Sequence, residues 1–335
     1  MKHLAKLTCL AIGLAAGGSA AATAQEDCGD VTIAAMNWQS AEVLSSLDKF
    51  ILENGYGCSV SVISGDTVPT ITSMAERGQP DIAPEAWVDL VPEVVNRGLE
   101  EGKLVATGFA LTEGGQQGWF MPQYIAEAHP EIITIGDALK HPELFPAPED
   151  ASKGAVYNGP QGWGGTVVTT QLFKAYEAEN AGFVLVDTGS AAGLDGSIAR
   201  AYESQEGWLG YYWAPTAILG RYPMVKLAFD APHDAAEWKR CNSNAECPDP
   251  KVNEWAADKV LTVTTSEFAE RTSAPVMEYL SKRSWSNNIV NRLLAWMTDN
   301  QATGDDGAKY FLENNKEIWT TWVSADAAAK IEAAL

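Results

Sequence analysis

The chain is poor in the residues that usually run reactions. Its 335 residues include only four histidines and five cysteines. His129 and His141 each precede a proline in a turn-like stretch, and no two histidines stand at the helical spacing of a metal-ligand pair. There is no G-x-S-x-G nucleophile elbow and no G-x-x-x-x-G-K-[ST] phosphate loop. These absences argue against serine catalysis, nucleotide hydrolysis and metal chemistry. The sequence is therefore read as a non-enzyme with no cofactor and no metal. Its many carboxylates keep one alternative open, a secreted hydrolase working with a carboxylate pair. Basic residues are also scarce, 23 Lys and Arg against 44 Asp and Glu, for a net charge of −21. Such a surface repels nucleic acid and anionic lipid headgroups.

Long hydrophobic runs are missing too. The longest apolar stretch, around Leu7–Leu14, is too short to span a bilayer. It follows Lys2 and Lys6 and leads to the small residues Ala22-Thr23-Ala24, the order of a secretory signal peptide. Residues 1–24 are expected to be removed, leaving a periplasmic protein. The mature chain then keeps Cys28, Cys58, Cys241 and Cys247, an even number in an oxidising compartment. Three pairings are possible, and spacing favours Cys28 with Cys58 and Cys241 with Cys247.

What is present is an alternation of strand and helix patterns. "DVTIAAMNW", "CSVSVIS" and "PDIAPEAW" read as strands separated by the helices "SAEVLSSLDKFILENGYG" and "VPTITSMAERGQ". From about Glu131 to Gly220 the pattern recurs, with "GAVYNG", "FVLVD" and "WLGYYWAP" as strands, and the remainder is mainly helical. The stretch "QGWFMPQYIAEAHP" reads as a crossing between lobes. The expectation is an α/β protein of two lobes, each a mostly parallel sheet flanked by helices, with a ligand cleft between them. Lobe one takes 25–125 and 221–335, and lobe two takes 126–220.

Tryptophan is abundant, with twelve residues. Trp296, Trp319 and Trp322 sit in helical patterns and read as core. Trp38, Trp87, Trp163 and Trp213 fall at or just beyond strand ends, where open α/β sheets bind ligands. Indole rings meeting in a cleft form an aromatic cage, whose natural occupant is a quaternary ammonium group. Such a cation has no N–H to donate, so ring faces can hold it where hydrogen-bond acceptors cannot. Trp119, in "QGWFMPQ", is a further candidate. The loop "GPQGWGGT" (159–166) opens a helix, and its backbone N–H groups suit a carboxylate beside the ring of Trp163.

At these motifs the chain resembles the periplasmic substrate-binding proteins of glycine betaine/proline betaine/choline ABC importers, a type II two-lobed fold. In that family a P-G-W-G-C-like loop supplies a cage ring and backbone donors, which maps onto Trp163 and Gly164. An N-W-T-P motif maps onto Trp87 in "EAWVDL", and a Y-x-W-x-P motif onto Trp213 in "YYWAP". Trp38 is similar to the first-strand tryptophan of the choline-binding branch. Two positions depart from the pattern. Val91 stands where some betaine binders have histidine, and Ser40 where the choline branch has an acid. The resemblance implies a monomeric receptor that delivers an onium osmolyte, glycine betaine first among them, to a membrane permease with a separate ATPase subunit. The alternatives within the fold are choline, dimethylsulfoniopropionate, carnitine, or an amino acid or polyamine.

Overall fold

The computed structural model describes residues 28–335 apart from Ala256, and the expected export signal lies outside the described residues. In chain order the strands are β1 (Asp30–Met36), β2 (Ser59–Gly65), β3 (Ile82–Trp87), β4 (Leu104–Phe109), β5 (Gln116–Pro122), β6 (Gly154–Asn158), β7 (Phe183–Asp187), β8 (Gly210–Ala214), β9 (Met224–Lys226) and β10 (Val260–Thr265). They form two five-stranded sheets, ordered β2-β1-β3-β10-β4 and β7-β6-β8-β5-β9. The expected pair of α/β lobes is present.

The local reasons are visible in the sequence. In the helix Gln39–Tyr56 the residues Val43, Leu44, Leu47, Ile51 and Leu52 make one buried stripe at helical spacing. Gly57 ends it in the left-handed conformation and returns its N–H to the carbonyl of Glu53. The central β3 is buried at all six positions, as a strand covered on both faces must be. Among the described residues no helix is long and apolar enough to cross a membrane.

Two expectations need correction. Each sheet is mixed rather than mostly parallel. β1 runs parallel to β2 and β3, and β6 to β7 and β8, but β10 is antiparallel to β3 and β4, as β5 is to β8 and β9. β5 and β10 each enter their sheet from the other lobe rather than through a helical crossover, so nothing imposes the parallel direction. The lobe boundary also lies earlier than expected. β5 and β9 pair within the second sheet, so the chain crosses at 110–115 and returns across 227–259. The two crossings pair with each other, Gly115 and Asp258 exchanging both backbone hydrogen bonds at 3.0 Å.

Both disulfides form in the favoured pairing, Cys28–Cys58 and Cys241–Cys247, with Cα separations of 4.9 and 5.1 Å. The first joins the starts of β1 and β2. By loop-closure entropy it contributes about 3–4 kcal/mol, against about 2 kcal/mol for the short second loop. That second loop docks on lobe two, where the buried Gln171 side chain donates to the carbonyls of Asn244 and Cys247.

Candidate functional site

β1 and β3 are adjacent parallel strands of the first sheet, and β6 and β8 hold the same relation in the second. Their carboxyl ends face one another across the cleft. Trp38 follows β1, Trp87 closes β3, Trp163 follows β6 and Trp213 lies near the end of β8. All four line a single small cavity with Thr67, Leu90, Gln117, Gly165 and Tyr211. They are only 3–7% exposed, so the lobes are shut over the space. Trp163 stands at its centre, edge-on to Trp38 (5.7 Å between ring centroids, 85°) and to Trp213 (5.1 Å, 90°). Tyr211 lies nearly parallel to Trp213 at 6.0 Å, and Trp255 stacks behind Tyr211 at 5.4 Å.

Trp119 does not join them. It is fully buried on β5 against Tyr176, with ring centroids 6.1 Å apart. β5 runs away from the cleft, so Gln117 reaches the cavity and Trp119 lies behind it. The helix start also differs by one residue. Gly165 lines the cavity, whereas Gly164 abuts Leu90. A Cβ on Gly165 would stand 2.3 Å from the Tyr211 hydroxyl oxygen, so only glycine lets the helix approach this closely. Trp163 occupies the N-cap position of Gly164–Ala175 without a side-chain cap, and its first turn holds no acid. The opening N–H groups of that helix are thus left to a ligand.

One carboxylate organises lobe one's half of the cage. Glu85, fully buried on β3, accepts at one oxygen from Trp38 Nε1 (2.7 Å), Trp87 Nε1 (3.1 Å) and Ser40 Oγ (2.9 Å). Its other oxygen has no hydrogen-bond partner among the described residues. Burial raises its pKa, opposed by the bonds from Trp38, Trp87 and Ser40 and by the charge of Arg283. An acid in an otherwise apolar buried strand is the signal that marks it in the sequence. The lobes meet at this site: Trp163 Nε1 donates to Asn37 Oδ1 (2.5 Å), and Val68 N–H to the carbonyl of Gly162 (3.0 Å).

A polar chain runs outward from the cage. Tyr211 donates its hydroxyl proton to Gln117 Oε1 (2.6 Å), and Gln117 Nε2 donates to Asp258 Oδ2 (2.5 Å). Burial pushes the Asp258 carboxyl up to about 7, against the opposing bond from Gln117; Asp89 raises it further and Lys226 lowers it. Asp258 thus keeps its proton in the folded protein up to neutrality and loses it near pH 4 in the unfolded chain. Stability therefore falls as pH rises from about 4 to 7 and stays lowered above. Asp258→Asn should stabilise the protein at pH 8 by roughly 2–4 kcal/mol, with the gain vanishing near pH 4. Thermal melts of both proteins across that range measure it, and an equal gain at both ends would refute it.

Two α/β lobes shut over an aromatic cavity between facing strand ends define a two-lobed solute-binding protein. The chain belongs to the family described as the substrate binding domain of ABC-type glycine betaine transport systems, which it matches over residues 29–314. It is the substrate-binding protein of an ABC importer for betaine- or choline-type solutes, and such proteins work with a membrane permease and an ATPase. It is 22% identical, over 87% of its length and 89% of the relative's, to the trimethylamine N-oxide-binding protein of Pelagibacter ubique (strain HTCC1062). Its fold is that of the glycine betaine, L-proline-binding protein ProX from Borrelia burgdorferi (TM-score 0.70, 19% identity, 90% of this chain and 99% of that one). An ABC-transporter choline-binding protein in complex with choline is equally similar (TM-score 0.70, 19% identity, 92% and 98% covered).

Proposed function

We propose that this protein is a periplasmic receptor for a small methylated onium zwitterion, with glycine betaine as its foremost ligand. The observation that carries the reading is the cavity shared by Trp38, Trp87, Trp163 and Trp213. A desolvated cation–π contact contributes roughly 2 kcal/mol, so three good walls give about 6 kcal/mol. A micromolar receptor needs about 8 kcal/mol before the costs of association are met. The deficit falls to the negative end of the ligand, which would accept from the open N–H groups at Gly164 and Gly165 at roughly 1.5–3 kcal/mol each. Clustered carboxylates suited to a primary amine are absent from the cavity lining, where the polar groups are Thr67, Gln117 and Tyr211.

A second reading, trimethylamine N-oxide, is favoured by the small size of the cavity and by the likeness to a protein named for that compound. Its oxygen could take the place of the carboxylate. Calorimetric titration with glycine betaine, trimethylamine N-oxide, dimethylsulfoniopropionate, carnitine and choline tests both. A zwitterion or the N-oxide should bind more tightly than choline, which offers only a hydroxyl. Tighter binding of choline than of all the others would refute the role of the helix start. Absence of binding by every compound would refute the cage.

A further inference from the structure

We infer that Glu85 is the charge-selecting residue of the cage, a buried carboxyl whose ionised form faces a bound cationic head and makes the site prefer it over a neutral one of the same shape. The inference rests on the cage reading above and assigns its electrostatics.

Three facts of geometry lead there. Glu85 touches two cage walls at once, since the indole N–H groups of Trp38 and Trp87 converge on one of its oxygens. An indole that donates to an anion becomes richer in electron density over its ring, which strengthens its pull on a cation. Among the described residues the carboxylate also lacks an adjacent ion-pair partner that would cancel it. Arg283 acts on it by charge alone, while its own hydrogen bonds go to Asp48, the Pro84 carbonyl and Thr262. And the second carboxylate oxygen is buried without a donor. A buried acid left in that state costs free energy in the empty protein. A cation arriving among the rings recovers part of that cost; a neutral guest recovers none.

Ser40 completes the argument. Its hydroxyl donates to the same Glu85 oxygen as the two indoles, so three donors converge on one oxygen and leave the other without any.

The test separates charge from shape. Choline and dimethylbutanol, its neutral analogue with carbon in place of nitrogen, are titrated into the wild-type protein, Glu85→Gln and Glu85→Asp. Glutamine retains an oxygen for the indole N–H groups and removes the charge. The ratio of choline to dimethylbutanol affinity should fall about tenfold or more in Glu85→Gln, the equivalent of about 1.4 kcal/mol. Dimethylbutanol itself should bind almost as in the wild type. Glu85→Asp keeps the charge on a shorter arm, so both affinities drop while the ratio holds. Equal weakening of both compounds in Glu85→Gln would overturn the proposal, because the carboxylate would then merely hold the rings. A fall of the ratio in Glu85→Asp as large as in Glu85→Gln would also overturn it. Failure of the wild-type protein to bind choline or any other onium compound would instead strike at the cage reading itself.

Discussion

Trp163→Ala is expected to weaken binding of the best onium ligand by about a thousandfold, roughly 4 kcal/mol. Three losses add up at this one residue. The cation loses a wall worth about 2 kcal/mol. Trp38 and Trp213 each lose an edge-on ring contact, worth about 0.5–1.5 kcal/mol. Asn37 loses the donor that reaches it across the cleft, leaving a polar group in a dry contact. Trp163→Phe keeps a ring face and forfeits the bond to Asn37, so its cost should be about tenfold. Calorimetry on the two variants decides the matter. If alanine and phenylalanine behave alike, the ring face is not what holds the ligand.

The second large effect is expected at a residue absent from the cavity lining. Gly115 lies in the first crossing, and a Cβ there would stand 2.0 Å from Cζ3 of Trp87. An indole is rigid, so the added methyl must push the ring or the crossing aside. Gly115 is tied on both sides to Asp258, and Trp87 to Glu85, which leaves little room for a cheap adjustment. Gly115→Ala should lower ligand affinity by about 30- to 100-fold, since it displaces one wall and loosens its bond to Glu85. The melting temperature of the ligand-free protein should fall by only a few degrees, for a cost of about 1–3 kcal/mol. Unchanged affinity would show that Trp87 can shift without consequence.

The parallel half of each sheet was legible because its strands are joined by local helices with ordinary starts and stops. "DVTIAAMNW", the helix ending at Gly57 and "CSVSVIS" emerge as β1, the helix Gln39–Tyr56 and β2. The antiparallel half was not. β10 pairs with β3 across about 180 residues of chain, and no local pattern can announce such a partner. The same holds for β5, whose segment reads as a crossing in isolation yet hydrogen-bonds to β8 and β9. The site divides along the same line. Trp38, Trp87, Trp163 and Trp213 were recognisable because strand ends meet a cleft by topology. Gln117 and Tyr211 come from the antiparallel pair β5 and β8, so their place in the cavity depends on pairing that sequence does not display. Trp119 stands in the segment that reads as a crossing, yet β5 runs away from the cleft there and sets it behind Gln117.

The bond from Trp163 to Asn37 has a consequence for rates. The ring that walls the cavity is also a clasp between the lobes, and Val68 and Gly162 add a second clasp beside it. A bound solute is sealed in by its own binding surface, so it leaves only when the lobes part. Its residence time is then set by the frequency of opening rather than by the strength of any one contact. Ligands of unequal affinity should consequently escape at rates more alike than their affinities, when each meets the same clasp, and differ more in how often they succeed in closing it. A permease that pries the two lobes apart would empty the receptor without touching the cargo.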